Sequence, residues 1–443
     1  MRIIIIGAGA VGSYLAERLS TDGQDVVVID DDEARVVELQ DRIDALVMVG
    51  NGASTNTLQE AGAEKADLLI AVSSSDGANV LACHSAKELG TKTTIARIEN
   101  PEIREGADGL GVDVVIDPSA TAAEDLAGVV GMGGATELVH FADGKLVMVG
   151  GIVAPNAPLT ESPLRQLRVR NAEWGWVVAA LVRDGGTIVA HGDTTVLPGD
   201  HALVMTTEDR IEKATGMLGL KRRHFDRAVI MGGTRFAELA ASEMERAGMA
   251  VVLVDQDKDR SARLATRFPR ALVVCGDPTD PDVLRELELN SNDVALGLSG
   301  WDEVNLLGCL VAKATGAGMV ISRFNRVAYV NLLAGVGIDA AVSSRLMAAS
   351  AILRFVRQGA IEQVVTFSDT DAEAIEIEVA DGAEAIGKTL LELELPVGVI
   401  IGGISREETT FVPDGSTVIK AGDHIIFFAL PRDIKESASL FTA

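Results

Sequence analysis

Two stretches of this 443-residue chain repeat each other at a nearly constant spacing, and that duplication constrains the fold more than any other feature. Gly50 and Gly276, Asp76 and Asp302, Asn79 and Asn305, Cys83 and Cys309, Lys87 and Lys313, and Arg97 and Arg323 each lie 226 residues apart. Asp30, closing Val26-Val27-Val28-Ile29, has its counterpart in Asp255, 225 residues on, so one residue is inserted between the two sets. A second repeat lies downstream in each half, where Gly199-Asp200-His201-Ala202-Leu203-Val204 matches Gly422-Asp423-His424-Ile425-Ile426-Phe427. The order is therefore N1, C1, N2, C2, with boundaries expected near residues 133, 222 and 357, giving 1–133, 134–222, 223–357 and 358–443.

Within N1, apolar runs at 2–6, 26–30, 45–49, 67–72, 93–97 and 113–116 alternate with amphipathic stretches at 11–21, 33–41, 54–61, 77–89 and 120–130. Strands alternating with helices over short connections predict an α/β fold, with a Rossmann-like, doubly wound parallel sheet in each N segment. C1 and C2 instead show short alternating segments, such as Ile375, Ile377 and Val379, between glycine turns. That pattern suits a small α+β unit.

The strongest local motif is Gly7-Ala8-Gly9-Ala10-Val11-Gly12, which follows an apolar strand and opens a helix containing Tyr14, Leu15 and Leu19. In that context Gly7 permits the tight turn, Gly9 lets the backbone approach a pyrophosphate, and Gly12 lets helix and strand pack closely. The helix N-terminus then faces the anion with free N–H groups and the positive end of its dipole. Asp30 lies 18 residues beyond Gly12, where its carboxylate can accept hydrogen bonds from ribose hydroxyls and repel a 2′-phosphate. The expected ligand is thus NAD(H) rather than NADP. Asn51, Gly52 and Ala53, after the third strand, are expected beside the adenine, and Ser73 and Arg97 at the carboxyl edge of the sheet. Arg97 either neutralises phosphate or pairs with Glu99, and Asp76 is read as a helix cap.

N2 keeps the frame and loses part of the chemistry. It reads Gly232-Gly233-Thr234-Arg235-Phe236-Ala237, with Thr234 and Ala237 in place of two glycines, while Asp255 remains and Arg235 and Arg323 lie nearby. N2 therefore binds a nucleotide weakly, binds one differently, or only supports assembly. Gly382-Ala383-Glu384-Ala385-Ile386-Gly387-Lys388-Thr389 literally satisfies the P-loop pattern, but Pro396 would cut a following helix short. The matching stretch of C1, Leu159-Thr160-Glu161-Ser162-Pro163-Leu164, has no Gly-Lys. The C2 stretch is read as a helix start.

A formal charge of −26 disfavours nucleic acid or anionic lipid as a partner. Cys83, Cys275 and Cys309 are far apart and are read as buried reduced thiols, and no metal site is expected. No apolar run approaches the roughly 18 residues needed to span a bilayer, so a cytoplasmic protein is expected. The competing class is an NAD-dependent dehydrogenase. Against it, the chain has no Tyr-x-x-x-Lys, only two tyrosines, and no catalytic domain beyond a second Rossmann frame and two small units. A purely structural assembly protein is the third reading, disfavoured by the intact Gly7, Gly9, Gly12 and Asp30.

Ile6 to Gly12, Asp30, Leu58-Gln59-Glu60-Ala61-Gly62-Ala63, Ala66-Asp67-Leu68-Leu69-Ile70-Ala71-Val72, Ala96-Arg97-Ile98 and the N-C-N-C order carry a resemblance over essentially the whole chain. The chain resembles the TrkA family, regulatory subunits of Trk-type bacterial potassium uptake systems built from tandem RCK (regulator of potassium conductance) domains. The resemblance implies a non-enzymatic cytoplasmic ring, a homotetramer, that docks on a potassium-translocating membrane subunit and binds NAD(H), ATP or ADP in N1. This sequence departs from the family's usual Gly-Asp-Ala after the third strand, having Gly50-Asn51-Gly52-Ala53, whereas N2 keeps the aspartate in Gly276-Asp277-Pro278.

Overall fold

Four consecutive isoleucines in β1 (Arg2–Ile6) are almost wholly buried, with Ile3, Ile4 and Ile5 at 0% exposure. A strand covered on both faces belongs in the middle of a parallel sheet, where each such side chain contributes about 1.5–3 kcal/mol of hydrophobic stabilisation. The structure, a computed structural model, describes residues 1–443 apart from 222, 327–335, 357–360, 368, 369, 371, 408 and 443. The expected boundaries at 222 and 357 lie outside the described residues.

After β1 come α1 (Ala10–Thr21), β2 (Asp25–Asp30), α2 (Glu33–Gln40), β3 (Leu46–Val49), α3 (Thr55–Glu60), β4 (Leu68–Ala71), α4 (Asp76–Leu89), β5 (Thr93–Arg97), α5 (Pro101–Ala107), β6 (Val114–Ile116) and α6 (Pro118–Met132). The sheet order is β3-β2-β1-β4-β5-β6, all parallel, so the winding reverses between β1 and β4. A crevice opens at the carboxyl ends of the strands at such a reversal, and ligands of open α/β sheets bind there.

N2 repeats the order with Leu272–Cys275, Ala250–Asp255, Arg227–Met231, Asp293–Gly297, Met319–Arg323 and Ala340–Val342. The duplicated asparagines explain part of the repeat. Buried Asn79 accepts from Ser73 N and donates to the carbonyls of Ser73 and Arg97, tying the ends of β4 and β5 together. Asn305 makes the same three bonds to Ser299 and Arg323.

By compactness the chain divides into two units, and the division does not follow the sequence order. The first comprises residues 1–119 with the helix Ser344–Val356, and the second holds 120–343 and 359–443. In the first unit Ser344–Val356 packs along α1, with the Arg345 guanidinium 5.1 Å from the Tyr14 ring centroid. The helix that follows the last strand of N2 thus covers N1, while most of α6 falls in the second unit. On α6, half-buried Asp125 has its carboxyl pushed up to about 7, first by burial and then by the neighbouring charge of Glu124. A folded-state pKa raised above the unfolded value contributes stability below about pH 4 that is lost as pH rises through about 7. Asp125→Asn is therefore expected to raise the denaturation midpoint at pH 8 and leave it nearly unchanged at pH 4, as denaturant titrations at the two pH values will show.

C1 and C2 are five-stranded antiparallel sheets within the second unit. They share one core, in which Phe141, Leu146 and Met205 of C1 meet Ala374, Ile426 and Phe428 of C2. The Gly-Asp-His repeat is a structural device at the head of one strand in each sheet. Gly199 (φ +87°) and Gly422 (φ +74°) turn the chain left-handed. The buried carboxylates of Asp200 and Asp423 then each take a two-pronged pair of 2.7 Å bonds from Arg183 and Arg406.

Two expectations are corrected here. Gly382–Thr389 is a run of turns and starts no helix: Gly382 (φ +89°) and Gly387 (φ +80°) are left-handed, and Thr389 enters an isolated bridge with Val418. Lys388 pairs with Glu384 at 2.9 Å. Without a helix N-terminus there is no phosphate cradle, so Lys388→Ala is expected to leave ATP affinity unchanged in calorimetry. Cys275 is exposed, because it ends the edge strand of the N2 sheet, whereas Cys83 and Cys309 are buried with thiols pushed up to about 12 by desolvation.

Candidate functional site

The turn from β1 into α1 has the shape of an anion cradle, and each glycine in it does different work. Gly7 is left-handed (φ +102°), and a Cβ there would stand 3.1 Å from the Ser73 backbone. A Cβ on Gly12 would fall 1.8 Å from the Gly7 carbonyl oxygen, so that residue can only be glycine. Gly9, by contrast, has nothing within 4 Å of a would-be Cβ and an ordinary φ of −71°. Its missing side chain leaves open space in front of the helix. As the N-cap of α1, Gly9 also offers no side-chain bond to the first N–H groups, which leaves them for a ligand. Ala8 is buried beneath the turn, and Ala10, Val11 and Gly12 form the first turn of α1.

Asp30, 6% exposed at the end of β2, meets this turn directly. One carboxylate oxygen accepts from Ala8 N at 2.5 Å and the other from Asp32 N at 2.9 Å. The backbone thereby fixes the carboxylate, which keeps lone pairs for ribose hydroxyls. Arg35 stands 3.9 Å from it.

The segment after β3 also reaches the turn. A Cβ on Gly52 would lie 2.2 Å from Ile6 Cγ2, so only glycine lets this backbone rest on the end of β1. Asn51 holds the local turn by accepting from Ala53 N at 2.9 Å. Asp277 of N2 makes the equivalent bond to Thr279 N at 2.8 Å. The Asn51 departure therefore keeps the turn and removes a negative charge.

Ser73 lies against Gly7, but its hydroxyl donates to Asn79 at 2.7 Å. Of the two roles considered for Arg97, the structure displays the ion pair: its Nε donates to Glu99 at 3.0 Å. Asp76 is the first residue of α4 rather than its cap, a role Ser75 takes by accepting from Ala78 N. The Asp76 carboxylate instead accepts from Glu99 N and Asn100 N, tethering the loop after β5.

N2 fills the same place with its own side chains. Thr234 caps the helix Arg235–Arg246 by accepting from Ala237 N at 3.3 Å, and its hydroxyl donates to the Leu298 carbonyl at 2.7 Å. Arg260 donates to Asp255 at 3.1 Å, and its stem crosses the turn 2.6 Å from where a Gly233 Cβ would be. In the sequence the signal lay in Thr234, which stands where N1 has Gly9; Arg35 and Arg260 share the 225-residue offset of Asp30 and Asp255 and so do not distinguish the copies.

The TrkA-N domain model matches residues 3–118 and 228–344, and the TrkA-C domain model matches 152–219 and 374–442. The Trk system potassium uptake protein TrkA of Haemophilus influenzae is 33% identical, with 100% of this chain and 98% of that protein covered. Among solved structures, the RCK domain of GsuK superposes with a TM-score of 0.63 at 18% identity, covering 99% of this chain and 94% of that one. The GsuK channel bound to NAD superposes at 0.62, covering 99% and 78%. At that identity the likeness concerns the fold.

Proposed function

The chain belongs to the TrkA family of Trk potassium uptake proteins, and from that membership we propose that it is a nucleotide-sensing regulatory subunit with one working site, in N1. NAD(H) is the favoured ligand, and ATP and ADP share the adenine-ribose-phosphate part that the crevice would grip. The observation that carries the reading is the contrast between the copies. N1 has an uncapped helix, open space at Gly9 and a carboxylate whose nearest arginine is at 3.9 Å, whereas N2 has Thr234 on its helix and Arg260 on its carboxylate. The structure of GsuK bound to NAD supports a nucleotide on this fold.

In N1 the turn Gly7, Ala8, Gly9, Ala10, Val11 and Gly12 cradles the pyrophosphate, with Gly7 N and Ala8 N bonded to Ile29 O and Asp30 to shape the turn and the N–H groups that open α1 left to meet the anion; Asp30 takes the ribose, and Asn51, Gly52 and Ala53 flank the adenine. Ser73 supports Gly7 from beneath, and Arg97 reaches phosphate only by leaving Glu99. The nucleotide is held and not turned over. Assembled as a symmetric homotetramer on the cytoplasmic face of a potassium-translocating membrane subunit, the protein gates flux. A ligand shifts such an assembly between shapes only by its differential affinity for them.

Calorimetry with NADH, NAD, ATP and ADP tests the first half: one nucleotide per chain is expected, and two per chain would count against a silent N2. Potassium flux through the reconstituted complex tests the second. Flux indifferent to every nucleotide, or steady hydride transfer or ATP hydrolysis, would overturn the gating role.

A further inference from the structure

We propose that C2 binds a first-row divalent metal ion of the zinc class between Glu362, Glu376 and His424. The three residues come from three neighbouring strands, Ile361–Thr366, Glu373–Glu378 and His424–Ala429, and one donor atom of each lies within 4.8 Å of the others. His424 Nδ1 and a Glu362 oxygen are 2.8 Å apart. Tetrahedral zinc with ligands at about 2.0–2.2 Å has ligand-to-ligand edges of about 3.4 Å, so closing on an ion means opening the Glu362–His424 pair slightly and bringing the three donor atoms, which lie within 4.8 Å of one another, to that spacing.

Two features set the group apart from an incidental surface cluster. The first is a break in strand register between Ile361 and Gln363, which leaves Glu362 as the extra residue, free to aim at His424. Bulges re-aim side chains in this way. The second is the sister unit. C1 also sets an acid beside its histidine, Glu137 by His201, but Glu137 stands at the register place of Gln363, the C1 register is regular, the two lie 3.8 Å apart, and His201 bonds Thr136 at 2.7 Å. Opposite Glu137 lies Gly150, where C2 has Glu376 opposite Gln363. C2 has thus gained a carboxylate that is 4% exposed and held at the seam between the sheets by the Ala142 N–H of C1, at 3.1 and 3.3 Å. A carboxylate buried beside a second one is costly unless a proton or a cation neutralises one of them, and an ion held here would neutralise both. Half-exposed Glu362 and His424 leave an entrance and a fourth position for water. An imidazole with two carboxylates favours zinc-class ions over calcium or magnesium, which prefer all-oxygen shells. Because Glu376 also holds the C1 hairpin, the ion would lock the seam.

The test uses the full-length protein freed of metal by chelator, titrated with zinc and, for its visible spectrum, with cobalt(II). One ion per chain is expected, with a zinc-induced rise in Tm. Affinity is expected to fall at least tenfold in Glu376→Gln and in His424→Gln, and to be unchanged in Glu137→Gln of C1. Metal-free Tm values of the variants check that they fold. Equal zinc affinity in the wild type, Glu376→Gln and His424→Gln would overturn the proposal, as would no zinc binding by the wild type. A thiolate-to-cobalt charge-transfer band, which would place the ion on exposed Cys275, would overturn it too.

Discussion

Gly9→Val is expected to abolish measurable nucleotide binding without unfolding N1, whereas Gly12→Val is expected to lose binding together with the domain's native stability. Both outcomes follow from what a side chain would meet. At Gly9 it enters open space at a backbone angle any residue tolerates, so the fold is spared and only the approach of a pyrophosphate is blocked. At Gly12 its Cβ would fall 1.8 Å from the Gly7 carbonyl oxygen, and helix and strand must separate. Calorimetry with NADH reads the first effect and thermal unfolding the second. Undiminished binding in folded Gly9→Val, or in Gly12→Val, would remove the nucleotide from this turn.

Asp30→Ala is expected to weaken NADH and ATP alike, because both ligands carry the ribose that the carboxylate would hold. A hydrogen bond to a charged group contributes about 1.5–3 kcal/mol, which corresponds to roughly ten- to a hundredfold in affinity. The same carboxylate also anchors Ala8 N and Asp32 N. Asp30→Asn, which keeps one acceptor for the turn, separates ligand contact from turn geometry and should retain the fold while losing most of the affinity. The matching change in N2, Asp255→Ala, should leave affinity and stoichiometry unaltered, since Arg260 already occupies that carboxylate. A comparable loss from Asp255→Ala would show that the second copy is in use.

The parallel sheets were legible in the sequence because a strand buried on both faces is apolar at every position. The runs expected at 2–6, 26–30 and 93–97 match Arg2–Ile6, Asp25–Asp30 and Thr93–Arg97 to within a residue. The β1–α1 turn was legible because its glycines answer to backbone geometry. Other features were hidden for physical reasons. The placement of Ser344–Val356 on N1 could not be read, since after a duplication the apolar face of that helix suits either sheet. Gly382–Thr389 satisfied a helix-start pattern, yet two left-handed glycines make turns of it. The fate of Arg97 depended on whether Glu99 turns back toward it, a matter of side-chain direction that spacing does not express. The group of Glu362, Glu376 and His424 is assembled by strand pairing and a bulge, so its members lie too far apart to form a motif.

The core shared by C1 and C2 changes how the protein responds to its own abundance. Were a single N-C half made alone, the seam around Phe141, Met205, Ile426 and Phe428 would have to form between two molecules and would dissolve on dilution. Joined in one chain, the halves meet at an effective concentration on the order of millimolar whatever the cell produces. The pairing is therefore insensitive to copy number. It also relaxes the demands on the second half, which can give up a ligand of its own and still supply its share of the seam.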